Sequence, residues 1–181
     1  MRLALDAVRI AVTVFAVSIL QVSAAPQLSP FHAAPDLVVI VVVALVLWRG
    51  IEVAAAAGFA AGLLLDAMLF GHVGEYSLMY VLAAVAVGRF ARPGEPGAGM
   101  VMPRPPRFLP WVLGAASLVQ LGYALMEWLL GGFGYPASFV WWNQIVPSVL
   151  QTMIVAILVA PLLRRMFDNQ QRARVPAIQA I

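Results

Sequence analysis

The residues able to do chemistry are few and widely spaced. The chain has eight acids, eleven basic residues that are all arginine, two histidines and no cysteine. His32 and His72, taken with Asp36, Asp66 and Glu75, could hold a hard metal ion or act as an acid–base group. No ligand spacing such as HExxH joins them, so a hydrogen-bonded rim is expected there, with no metal and no cofactor. A glycine-rich phosphate loop after a strand is missing, as is a nucleophile elbow. No catalytic residue is therefore assigned, and the chain is not read as an enzyme. Asp66 and Glu127 lie inside apolar segments. Acids placed there can relay protons or bind a cation, or they can lock helices together through hydrogen bonds. The missing cysteines exclude a disulfide framework and cysteine-ligated metal.

Asp66 closes the most informative stretch, residues 54–66. Ala54, Gly58, Gly62 and Asp66 follow one another at intervals of four. On a helix they share one stripe. Three of them have almost no side chain, so a second helix can come close. In lipid such small-xxx-small stripes drive helix association, because apolar side chains gain nothing by exchanging acyl tails for each other. The second helix can belong to the same chain or to a partner. The reading carried forward is a smooth groove that accepts another helix, with Asp66 on the packed side. Asp66 also falls near a helix C-terminus, where the dipole disfavours an anion. It must accept hydrogen bonds from loop backbone or neighbouring amides, or carry a proton part of the time.

These residues need elements to hold them, and the composition says which. The 181 residues are 63% apolar and 10% charged, against about 25% charged in soluble domains. The arginines flank apolar runs, which makes the basic balance a membrane-topology signal; lipid is the expected contact and nucleic acid is not. A span needs about 20 apolar residues. The expected fold is all-α: a six-helix transmembrane bundle forming a single polytopic domain over residues 1–181. Helices are expected at about 10–25, 36–48, 51–70, 76–90, 109–130 and 143–163. The first run also imitates a signal peptide, but Pro26 beside the small residues opposes cleavage, so an uncleaved helix is expected. Gln21 in that run suits a bond to a neighbouring helix. Pro35 and Asp36 read as a helix start with a cap. The helix they open is short, about 20 Å, and must be shielded by neighbours or extended. Gly74 falls in a tight polar loop. Residues 93–106 read as a flexible Pro/Gly linker. Residues 131–142 read as an aromatic loop suited to the membrane boundary, Pro161 as the last turn of the sixth helix, and residues 164–181 as a loose basic tail. Arg164 and Arg165 could attract anionic lipid or a cytoplasmic partner, although stop-transfer anchoring also explains them.

Six spans put both termini on one side. With that side inside, every arginine is cytoplasmic and the three outer loops have none; they hold Asp36, Glu75, His32 and His72. Such a split follows the positive-inside rule. Gln21, Asp36, Asp66, Glu127, Asn143 and Gln144 then form a polar layer in the outer half of the bundle.

The same residues carry a family resemblance. Pro35-Asp36-Leu37 opens an apolar helix that ends at Arg49-Gly50. Gly58-Phe59-x-x-Gly62-Leu63-Leu64-x-Asp66 follows, then a short loop with Gly74 and a helix ending at Gly88-Arg89. This pattern, with Gln21 near the end of the first helix, resembles MreD, the rod shape-determining membrane protein family. It is best over residues 21–89, while helices 5 and 6 match in hydropathy and length. The Pro/Gly linker departs from the pattern. The resemblance implies a non-enzymatic scaffold in the bacterial cell membrane that acts in cell elongation and lateral peptidoglycan synthesis. It implies an MreC-type bitopic partner and, through it, a SEDS glycosyltransferase, a class B penicillin-binding protein and MreB. It also implies a fold similar to the S components of energy-coupling-factor transporters. A second function follows from that likeness, a vitamin-like small-molecule-binding transport component with the outer polar layer as its pocket.

Overall fold

The computed structural model describes residues 2–23, 27, 34–69, 73–91, 105–130 and 137–172. Its elements are α1 (Arg2–Ser23), α2 (Leu37–Arg49), α3 (Ile51–Leu69), α4 (Glu75–Phe90), α5 (Pro105–Leu129), α6 (Ala137–Val140), a π-helical turn (Trp141–Ile145) and α7 (Val146–Arg172). The last three run on without a break, so the described residues make six helical rods. No strand occurs among the described residues.

Several boundaries differ from the expected ones. α1 starts at Arg2, because Leu3, Ala4, Leu5 and Ala7 favour helix and nothing between positions 2 and 9 breaks one. The polarity that ends an apolar span does not end a helix. For the same reason α7 passes Pro161 and continues to Arg172, well beyond the apolar run. Pro161 removes one N–H from the ladder without stopping it. The expected aromatic loop is helical from Ala137 onward, and includes the π-turn that carries Trp141 and Trp142. The last two residues of the expected linker belong to α5, while residues 92–104 lie outside the described residues.

α2 is the axis of the bundle. α1, α3, α4, α5 and α7 pack around it, neighbouring one another in that order. Nine of its thirteen residues are buried, so a helix about 20 Å long needs no length of its own to meet lipid. Shielding answers its shortness, and extension does not occur. One residue makes its connection to α3. Gly50 has φ 96°, a left-handed conformation that favours glycine, and its N–H reaches the carbonyls of Leu45 and Val46. Its own carbonyl then accepts from Ala54 in the first turn of α3.

The outer surface of the bundle is apolar. Phe15, Leu82, Leu125, Trp128, Ile154 and Leu158 are all exposed. In water so much apolar surface would associate; in a bilayer it is the solvated face. Ile51–Leu69, Phe108–Leu129 and Trp141–Leu163 are long and apolar enough to cross a membrane.

Candidate functional site

The polar side chains gather at one end of the bundle, in two networks. The first surrounds the non-helical segment at residues 34–37. Backbone outside a helix must be satisfied by protein when water is excluded, and here side chains from two helices satisfy it, with a third helix supporting one of them. Gln21 of α1 donates to the Pro35 carbonyl (2.9 Å) and accepts from the Leu37 N–H (2.7 Å). Ser148 of α7 donates to the Ala34 carbonyl (2.9 Å) and accepts from Gln120 of α5 (2.6 Å). The Thr152 hydroxyl accepts from the Asp36 N–H (2.8 Å) and donates to the Ser148 carbonyl (2.8 Å). Pro35 has no N–H to satisfy.

Asp36 is the N-cap of α2. Its Oδ1 accepts from the Val39 N–H at 3.1 Å, and the Tyr80 hydroxyl of α4 reaches both carboxylate oxygens at 3.2 Å. The residue is 5% exposed. An acid this deep lies at the positive end of the α2 dipole, so capping accounts for it, with α4 as a second donor. A row of rings leads outward from there. Tyr80 stacks on Tyr76 with centroids 6.1 Å apart, and Tyr76 on Tyr123 of α5 at 5.1 Å. Glu127 sits half-buried one turn beyond Tyr123.

The second network belongs to Asp66, at the end of α3 and 2% exposed. Its Oδ2 accepts from the Gly74 N–H (2.8 Å) and the Ser77 hydroxyl (3.2 Å), and its Oδ1 from the Tyr76 N–H (3.1 Å). The carboxylate of one helix thus caps the next. It satisfies two N–H groups at the start of α4 that have no partner within the helix, and its charge faces the favourable end of that dipole. Gly74, the N-cap, has φ 98° and offers no side chain of its own. Of the two alternatives for Asp66, acceptance from loop backbone is the one observed.

The small-residue stripe runs along α3 from its first turn up to Asp66 and is filled. Ala54, Gly58 and Gly62 are all buried, and α3 makes its most extensive contact with α4. A Cβ on Gly62 would overlap the Ser77 backbone, and one on Gly58 would lie 3.1 Å from Tyr80 Cβ. Of the two owners open for the second helix, the same chain supplies it: α4 occupies the groove, because only hydrogen at Gly62 admits the α4 backbone.

The remaining candidates do not converge. Asp36 and Asp66 hold separate networks, and no group of three His, Cys, Asp or Glu residues comes together to hold a metal among the described residues. His32 and His72 lie outside the described residues. Asn143 and Gln144 are exposed on the π-turn, and Asn143 donates to the Phe139 carbonyl. Gln151 has both amide atoms buried without a partner. Sequence reasoning missed Tyr80, Ser148 and Thr152. Ser148 and Thr152 are one turn apart on an apolar helix, and that inward polar pair is the signal that could have found them.

An all-helical bundle with an apolar exterior and its polar groups turned inward is a polytopic membrane protein. Residues 1–170 match the family described as rod shape-determining protein MreD, and the chain belongs to that family. The resemblance drawn over residues 21–89 therefore extends to nearly the whole chain. Neither curated proteins nor solved structures gave a match.

Proposed function

We propose that this chain is a non-enzymatic scaffold of the bacterial rod-shape machinery, spanning the inner membrane several times with both termini in the cytoplasm. It associates with an MreC-type bitopic partner. Through that partner it acts on a SEDS glycosyltransferase, a class B penicillin-binding protein and MreB, and so regulates lateral peptidoglycan synthesis. Family membership over residues 1–170 carries this reading. Scaffolding is favoured over catalysis or transport because Gln21, Asp36 and Asp66 are each engaged with backbone inside the bundle. A vitamin-binding S component would need such groups to converge on an open pocket, and no observation favours that reading. The orientation is supported by Arg9, Arg49 and Arg89, which lie toward the end of the bundle opposite Gln21, Asp36 and Asp66.

The test is depletion in the native rod-shaped host, combined with co-purification of the MreC-type protein. Depleted cells are expected to round up and to regain rod shape with the wild-type chain, and the two proteins are expected to purify together. Cells that stay rod-shaped through prolonged depletion would sink the proposal.

A further inference from the structure

Trp141, Trp142, Asn143 and Gln144 are consecutive, and all of them are exposed. A helix packed on a bundle keeps one face covered, as the same rod does from Ile145 onward. These residues therefore stand clear of the bundle all round. Their chemistry suits neither phase on its own. Indole rings in bulk water forgo the gain of leaving it, and side-chain amides in hydrocarbon lose their hydrogen bonds to water. The headgroup boundary accepts both, because an indole is apolar in body and polar at its N–H.

With the boundary at Gln144, helix rise fixes the depth of everything below it. From position 144 to position 164 the rod is unbroken, a length of about 30 Å. That is about the thickness of the hydrocarbon core, so the first of two consecutive arginines falls at the opposite boundary. Thr152 lies about 12 Å in from Gln144, and its hydroxyl accepts from the Asp36 N–H. Two other rods give the same depth from the opposite side. α2 measures about 18 Å from Leu37 to Arg49. With Arg49 at its boundary, the start of α2 falls about 12 Å short of the far one. Gln21, bonded to the Pro35 and Leu37 backbone, stands about 18 Å along α1 from Arg9. We infer that Trp141–Gln144 is the chain's contact with the headgroup layer of the leaflet opposite Arg49, and that the non-helical backbone at 34–37 lies about 12 Å beneath it, inside the hydrocarbon. Gln21, Ser148 and Thr152 then do within the membrane what water does for a surface loop.

The chain has no cysteine, so single cysteines can carry a spin label without further change. Leu150, Ile154, Leu158 and Leu162 of α7 are exposed, and a label there displaces no packed side chain. The full chain is reconstituted in vesicles of phosphatidylcholine and phosphatidylglycerol. Depth is read from relaxation by oxygen, which concentrates at the midplane, against a water-soluble nickel chelate. The midplane is expected level with Ile154, about 15 Å below Gln144. Oxygen preference should therefore peak at Ile154→Cys, be nearly equal at Leu150→Cys and Leu158→Cys, and fall further at Leu162→Cys, while Gln144→Cys should favour nickel. A preference that rises steadily from Leu150→Cys to Leu162→Cys would put the 34–37 backbone at the boundary and overturn the inference. So would a Gln144→Cys label that favours oxygen, or one shielded from both reagents in native membranes, since a partner protein would then cover the turn.

Discussion

Gly58 and Gly62, on one face of α3, lie against the α4 backbone, whereas Ala56 and Ala60, on another face, open into a cleft beside α1. Both faces carry small residues at intervals of four, so the spacing alone does not say what lies opposite. Chain connection decides it. α3 and α4 are joined by residues 70–74 alone, so α4 must return beside α3, and closing so short a loop costs little entropy. Asp66 then fixes the register by holding the first N–H groups of α4. α1 and α3 touch, but α2 separates them in the chain and their contact is less extensive than that of α3 with α4; no comparable device closes that side among the described residues. The glycine face is an internal seam, and the alanine face is the one left to the membrane.

Substitutions break this contrast to different degrees. Gly62→Ala should do most damage, costing about 3 kcal/mol because its methyl cannot coexist with the Ser77 backbone; unfolding in micelles would measure it. Asp66→Ala should follow, at about 2–3 kcal/mol, since it leaves the Gly74 and Tyr76 N–H groups without their acceptor. Asp66→Asn keeps one acceptor oxygen and should lose clearly less in the same assay. Thr152→Val removes the acceptor for the Asp36 N–H and the hydroxyl donor to the Ser148 carbonyl, and a loss of about 1–2 kcal/mol is expected. Gln151→Leu should have the opposite sign: its amide is buried without a partner, and replacing it is expected to stabilise the chain by ~1 kcal/mol. A destabilised Gln151→Leu protein would show that the amide has a role in packing.

Local pattern made part of this legible. The six rods, the buried stripe, Asp36 as a cap and Asp66 on a packed face all follow from spacing and from the cost of charge in lipid. What pattern could not supply was the identity of neighbours. Tyr80 is 44 residues from Asp36, and Thr152 is 116; nothing local marks such pairs. The owner of the helix on the stripe was undecided for the same reason, because in-chain and partner packing use the same small residues. The ends of α1 and α7 were misplaced because hydropathy reports where lipid ends, and a helix continues past that boundary while its residues favour it. The cleft left almost no mark, since exposed alanines read the same whether a helix, a lipid chain or nothing lies against them.

The most direct test compares two leucines on α3. The isolated protein, purified without any partner, is melted as wild type, Gly62→Leu and Ala60→Leu. An internal seam predicts that Gly62→Leu loses its cooperative transition or melts far below wild type, while Ala60→Leu melts with it. A Gly62→Leu protein that is fully stable alone, and fails only to bind its partner, would contradict the account.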